Sequence, residues 1–295
     1  MKILRQIYGL FKMLLFFLTN RKIDENDYKE EYNIVSHTYS QWLNRMSKHT
    51  DKILNINYLS LNATKIKILD FACGSGYITK KLLEQFDKIG LHNVEINGVD
   101  ISKNMLPENI FDKRVKFVEC DGIEFLERSE ESIYDAIYIG WALPYFNHNK
   151  LLKLFKRVLR NNGIVGIIAN IKGTLKDIET IFIETMLEKP DEFQKIMDIR
   201  FNLPDGKKKI IKWFKKYDFN PIEIDEGEEI VCFQSPEELY KWLKNSGALA
   251  GTNNIFKNSE KIEKIIIEKI KKKKNFNNKY IINHKFSYGI FKKEV

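Results

Sequence analysis

Ile68-Leu69-Asp70-Phe71-Ala72-Cys73-Gly74-Ser75-Gly76-Tyr77-Ile78-Thr79 is the stretch that decides the fold of this chain. An apolar run ends in an acid, a loop of small residues follows at once, and a helical pattern begins beyond it. Gly74 and Gly76 carry no Cβ, so the loop can turn sharply and bring backbone N–H groups close to a ligand. The N-terminus of the following helix adds partial positive charge. Taken alone, a glycine loop of this kind is weak evidence for a nucleotide-type cofactor.

The segments beyond it build a sheet. Glu95 to Ser102 reads as a second strand, with Asp100 a little over about twenty residues past the loop, where an acid at a strand end can accept from both ribose hydroxyls. Val115 to Asp121 reads as a third strand, Tyr134 to Gly140 as a fourth and Gly163 to Ala169 as a fifth. Strands alternating with helices predict an α/β fold with a doubly wound, mostly parallel sheet. Ligands of such sheets bind outside the carboxyl ends of the strands, where Asp70, Asp100, Asp121 and Trp141 fall.

With these motifs in order and spacing, roughly residues 66–170 resemble the class I S-adenosylmethionine-dependent methyltransferases. The resemblance implies a seven-stranded Rossmann-like sheet and S-adenosyl-L-methionine as cofactor. It implies that the Asp70, Ala72, Gly74 and Gly76 loop holds the methionine half of the cofactor. Asp100 matches the acid that grips the ribose, and Ile101 the apolar residue beside the adenine. Asp121-Gly122 matches the pair at the adenine amino group and ring edge. Tyr39-Ser40-Gln41-Trp42-Leu43 resembles the pre-core helix whose tyrosine closes over the cofactor, although Tyr39 and Trp42 also read as ordinary packing aromatics. Ala72 departs from the family's glycine, and its backbone is expected to avoid positive φ. A nicotinamide-dependent oxidoreductase is the weaker reading, because the third position of a G-x-G-x-x-G fingerprint would be Thr79, which crowds the helix–strand contact.

The 295 residues, 43% of them hydrophobic, suffice for a large core with additions. Residues 1–50 read as an N-terminal amphipathic helix and helical cap, 51–170 as the cofactor-binding core, and 171–220 as a lid insertion. Residues 221–295 complete the sheet with helices. Within the insertion, Leu175 to Leu187 and Glu192 to Ile199 read as helices, and Ile210 to Tyr217 as a helix or strand. Tyr280 to Phe291 reads as a last strand, antiparallel or at an edge. The 3 cysteines, Cys73, Cys120 and Cys232, form no C-x-x-C pair, which suits a reducing cytoplasm and suggests no metal site. Cys73 and Cys120 read as small buried hydrophobes rather than nucleophiles.

The net charge is +9, much of it in lysine runs such as Lys207-Lys208-Lys209. A solvated basic face is the plain reading; contact with anionic lipid, nucleic acid or an acidic substrate is the sharper one. At the N-terminus, Ile3, Leu4, Ile7, Tyr8, Leu10, Phe11, Leu14, Leu15 and Leu18 recur at helical spacing, with Lys2, Arg21 and Lys22 as basic flanks. This helix is too short and interrupted for a span. Either it packs on its own protein as part of the cap, or residues 1–22 contact a membrane surface.

A methyl group on a sulfonium is already activated, so the protein must chiefly bind, exclude water and align the acceptor. A general base is needed only for an acceptor that keeps its proton. His148 and His37 are the candidates for one, each also readable as a solvent-exposed loop histidine. Trp141 and Tyr145 read as lining the acceptor pocket or packing the core. Leu143-Pro144-Tyr145 lacks the polar residue and second proline of the Asp/Asn-Pro-Pro-aromatic motif of nucleic-acid amino-methylases. The expectation is methyl transfer to a small-molecule acceptor, hydrophobic in part, with no nucleic-acid partner. An RNA methyltransferase and a non-catalytic cofactor-binding protein are the rivals.

Overall fold

The computed structural model describes residues 2–59, 65–197, 203–257, 259–273 and 279–294. The strands are β1 (Ile66–Phe71), β2 (Val94–Asp100), β3 (Val115–Glu119), β4 (Tyr134–Gly140), β5 (Leu159–Asn170), β6 (Phe219–Phe233) and β7 (Tyr280–Lys293). They form one sheet in the order β3-β2-β1-β4-β5-β7-β6. β1 to β5 are parallel. β7 runs antiparallel to β5, with Ile164 opposite Lys292 and Asn170 opposite Phe286. The expected seven-stranded, mostly parallel α/β sheet is present. The last strand is antiparallel as read, but interior; β6 takes the edge.

The helices are α1 (Lys2–Leu18), α2 (Glu25–Val35), α3 (Ser40–Thr50), α4 (Tyr77–Lys88), α5 (Gly122–Arg128), α6 (His148–Val158), α7 (Lys176–Glu188), α8 (Gly206–Lys215), α9 (Pro236–Asn245) and α10 (Ser259–Lys272). Local chemistry sets their starts. Asn147 accepts from the Lys150 N–H at 3.1 Å to open α6, and Ser235 accepts from the Glu238 N–H at 3.0 Å to open α9, with Pro236 behind it.

The chain divides into two compact units. One comprises Arg45–Lys172, Asn202–Gly227 and Lys285–Val295 and holds the parallel strands. Its core is built on residues buried from both faces of the sheet, among them Leu69, Phe71, Val99, Ile137, Ile139, Val165 and Ile167. Burial on both faces explains why these strands read as continuous apolar runs rather than alternating ones. Ridge residues Leu151, Leu152, Phe155 and Val158 of α6 close the same core. The switch in strand order lies between β1 and β4, beside the Asp70 loop.

The other unit comprises Met1–Asn44, Gly173–Phe201 and Glu228–His284. Its core gathers Ile178, Ile181 and Phe182 from α7, Leu239 and Leu243 from α9, and Ile262, Ile266 and Ile270 from α10 around Phe193. The helix expected over Glu192 to Ile199 is not formed through residue 197; residues 198 and 199 lie outside the described residues. Here the backbone is spent on bridges instead. Phe193 pairs with Phe256 and Ile196 with Lys22, and the Phe193 carbonyl accepts from Lys12 Nζ at 2.6 Å. The open choice over Ile210 to Tyr217 resolves as helix, since α8 covers most of it.

Candidate active site

The Asp70 loop forms the floor of the site. Asp70, the penultimate residue of β1, is 1% exposed. Its Oδ2 accepts from the Thr79 N–H at 3.1 Å and the Thr79 hydroxyl at 2.7 Å, tying the loop to the first turn of α4. Its Oδ1 is buried with no hydrogen-bond partner. Burial pushes the Asp70 carboxyl up to about 7, and the nearby Asp100 charge adds to the rise. Asp70 is thus a clamp on the loop rather than a group facing solvent. Thr79, read as an obstacle to a dinucleotide fingerprint, is its anchor.

Gly74 and Gly76 both take positive φ, +49° and +72°. Ala72 does so too, at +55°, against the expectation that alanine would avoid that region. The turn geometry overrides the residue: the carbonyl of Val99 accepts from Cys73 N–H at 3.0 Å and that of Cys73 from Gly76 N–H at 2.9 Å, which fixes the path on either side. The left-handed conformation costs an alanine roughly 1–2 kcal/mol.

Asp100 reaches across from the end of β2. Its Oδ2 accepts from the Gly74 N–H at 2.8 Å and its Oδ1 from the Ser102 N–H at 2.9 Å. The four lone pairs of the carboxylate meet three backbone N–H groups, those of Gly74, Ser102 and Ile101, which leaves acceptor capacity for a ribose hydroxyl. That acceptor fits a ribose hydroxyl of the cofactor that the motifs imply. Burial raises the Asp100 pKa, while N–H groups of Ser102, Gly74 and Ile101 oppose the rise. Met105 Cε stands 3.3 Å from where a Cβ on Gly74 would lie, so the turn after β2 leaves that position little room.

Asp121 caps α5, accepting from the Glu124 N–H at 2.7 Å. A Cβ on Gly122 would strike the Phe71 ring at 2.6 Å, so glycine is needed here for packing. Trp141, one residue past β4, has φ +66°. A bulky residue held in that region marks local strain, and such strain clusters at functional sites. Its indole Nε1 donates to Thr50 Oγ1 at 2.9 Å, and its ring meets Phe286 edge-on at 5.4 Å. Tyr145 is half-buried in the short turn Leu143–Tyr145 that follows.

The two histidines differ. His148 is not a solvated loop residue. It opens α6, stacks on Trp213 at 3.8 Å, and buries Nε2 without a partner. Burial pushes its pKa down to about 4, so it is neutral at pH 7 and a weak base. His37 is exposed and belongs, with Tyr39, to the other unit. Tyr39 there stacks on Trp42 at 5.5 Å. Cys73 is buried and burial raises its thiol pKa well above the usual value, which suits packing rather than nucleophilic chemistry. Thr50, Met105 and Phe286 were missed by the motif reading. Thr50 lies 91 residues from Trp141 and no local pattern signals it. The alternation in the last strand could have placed Phe286 on an inner face.

A methyltransferase domain family model matches residues 68–163, the span from β1 into β5. Over that span the chain carries a methyltransferase domain of the class I, S-adenosylmethionine-dependent kind. Among curated proteins, this chain is 28% identical over 159 residues to a malonyl-[acyl-carrier protein] O-methyltransferase of Priestia megaterium, covering 52% of this chain and 55% of that one. A Bacillus anthracis protein of the same description is 23% identical over 230 residues, covering 75% and 79%. The chain therefore spans little more than half the length of the Priestia relative. Among solved structures, a Bacillus halodurans protein assigned as a methyltransferase superposes with TM-score 0.51 at 13% identity, covering 83% of this chain and 99% of that one. At that identity the likeness concerns the fold.

Proposed function

We propose that this chain is a cytoplasmic enzyme that transfers the methyl group of S-adenosylmethionine to a small-molecule acceptor, hydrophobic in part. The observation that carries the reading is the Asp100 carboxylate, held at the end of β2 by the Gly74, Ser102 and Ile101 N–H groups with acceptor capacity left over. When bound, S-adenosylmethionine supplies a methyl group already activated on its sulfonium sulfur. Asp100 holds the ribose. The positive-φ turns at Ala72, Gly74 and Gly76 let the loop backbone approach the methionine half. Ile101 packs beside the adenine, and Asp121-Gly122 meets its edge. Trp141 and Tyr145, past the carboxyl end of β4, orient the acceptor and exclude water.

Two features favour a small, partly apolar acceptor. The turn after β4 carries Leu143, Pro144 and Tyr145 rather than a polar grip for a nucleobase amine, and half-buried Trp141 and Tyr145 supply aromatic surface, Trp141 backed by the buried Phe286 ring. The curated relatives named for malonyl-[acyl-carrier protein] make an acyl carboxylate a first acceptor class to screen. A carboxylate is ionised at neutral pH and needs no proton removed, which agrees with the weakly basic state of His148.

Calorimetric titration with S-adenosylmethionine and S-adenosylhomocysteine tests the reading, with NADH and Asp100→Ala as controls. Losing hydrogen bonds to a charged group costs about 1.5–3 kcal/mol each, so Asp100→Ala is expected to weaken binding by tenfold or more. Labelled methyl transfer into a panel of carboxylate, hydroxyl and amine acceptors follows. Preference for NADH, or no binding of either sulfur ligand, defeats the proposal.

A further inference from the structure

The N-terminal helix packs on its own unit with its more polar half and turns its apolar half outward. Along α1, at about 100° per residue, Ile3, Leu4, Ile7, Tyr8, Leu10, Phe11, Leu14, Leu15, Phe17 and Leu18 cover one half of the circumference. All of them are exposed, from 44% at Leu15 to 72% at Ile3, Leu4 and Leu18. Arg5, Gln6, Gly9, Lys12, Met13 and Phe16 cover the other half, and that is the half which packs. Gly9 lies against Leu187 of α7, where an added Cβ would come within 3.1 Å of its Cα. Phe16 joins the buried core of its unit and Met13 packs against it. A surface helix of a globular protein turns its apolar stripe inward and its polar stripe to water. Here the polarity is reversed.

Lys12 shows what the reversal costs and what it achieves. Its ammonium bends inward to donate to the carbonyls of Pro190 and Phe193, both at 2.6 Å, and sits over the Phe193 ring at 4.3 Å. The one charge in the middle of the helix is thereby withdrawn from the exposed half. Arg5 reaches Asp191 at 3.8 Å on the packed side. The exposed half is left uncharged and continuous, a patch of the kind that marks an interaction site.

We propose that α1 docks this protein on an anionic lipid surface, lying in the interfacial plane with its apolar half among the acyl chains. Residues 1–22 contain five basic residues and no acid; Lys12 is turned inward and Arg5 meets Asp191, and Lys2, Arg21 and Lys22 at the two ends of the segment supply charge that complements a negative membrane. The same charges disfavour a second copy of this chain as occupant. A two-fold contact through this face would bring two net-positive segments together. No helix among the described residues is long and apolar enough to cross a membrane, so the contact is peripheral. The proposal is independent of the methyl-transfer reading.

The test is co-sedimentation of the full chain with vesicles of phosphatidylcholine alone and of phosphatidylcholine mixed with phosphatidylglycerol. The wild-type chain is expected to sediment with the mixed vesicles, and less with phosphatidylcholine alone or at high salt. Phe11→Glu with Leu14→Glu is expected to lower partition by at least about tenfold, since the apolar area entering lipid drives it. Both positions are exposed, and an unchanged thermal melt would show that the fold survives. Leu14→Trp gives a reading that loses no apolar area: its fluorescence should shift to the blue with mixed vesicles. A wild-type chain that stays in the supernatant with both compositions overturns the proposal. So does a dimer, seen by sedimentation equilibrium, that the double glutamate variant splits while neither protein binds vesicles.

Discussion

The Asp70 carboxylate holds Thr79 twice, by its backbone N–H at 3.1 Å and its hydroxyl at 2.7 Å, and in doing so sets the start of α4 against the end of β1. Burial lifts that carboxyl from an ordinary 3.8 to about 7. The native state therefore binds a proton that the unfolded chain has released between those values. Stability contributed by this group is full below about pH 4, declines as pH rises to about 7, and is flat above. Glu31 in the other unit, also raised to about 7 by burial, adds a slope of the same sign. Asp70→Asn removes one of the two. We expect the variant to be about 1–2 kcal/mol more stable than wild type at pH 8, and no more stable at pH 4. Urea midpoints at the two pH values measure it. Equal gains at both would show that ionisation is not the cause.

Ala72 is the residue where the loop and its side chain disagree. At φ +55° its Cβ strains the backbone that a glycine would follow freely. Ala72→Gly should relieve that strain and return part of the gain as unfolded-chain entropy, for a net stabilisation of about 0.5–1 kcal/mol. Cofactor affinity should stay equal or rise. A destabilised variant would mean that the alanine methyl makes a contact worth more than the strain.

That disagreement also shows where the sequence stops speaking. The acid-terminated strands and the glycine loop were legible because period, apolar runs and strand-end acids act locally. β4 falls on Tyr134–Gly140, as its apolar run indicates. The sign of φ at Ala72 was not legible, because neighbouring backbone bonds to Val99 and Cys73 decide it. Neither was the state of His148, whose ring is buried on Trp213 of α8, 65 residues away in the chain. The segment near Glu192 looked helical by composition but joins bridges to residues far off in sequence. Whether α1 turns its apolar half inward or outward is likewise a fact of tertiary contact, since both orientations share one periodicity.

Gly98 gives a sharper test of the loop. It lies opposite Asp70 in the β1–β2 register. A Cβ there would fall 2.4 Å from Phe117 Cδ1 and 3.1 Å from Cys73 Sγ. Gly98→Ala should cost about 1–3 kcal/mol by overpacking and displace the loop, weakening S-adenosylmethionine binding. Phe117→Leu in the same chain should restore part of both. If the double variant is no better than the single, the Phe117 clash is not the origin of the loss.

Trp141 and Thr50 separate acceptor chemistry from cofactor binding. The indole N–H spends its donor on the Thr50 hydroxyl at 2.9 Å, and Thr50 is 2% exposed. Thr50→Val keeps the shape and removes the acceptor. The indole then loses its partner, at a cost of about 1–3 kcal/mol, and the ring is no longer pinned in its strained backbone setting. If Trp141 orients the acceptor, kcat/KM for that substrate should fall by about tenfold or more, because a small misplacement of reacting groups is expensive in rate. The dissociation constant for S-adenosylhomocysteine should not move, since Asp100 and the loop hold that ligand. Calorimetry and steady-state kinetics on one preparation decide the matter. Equal losses in both would make Trp141 a structural post for the whole site, and an unchanged kcat/KM would remove it from the acceptor pocket.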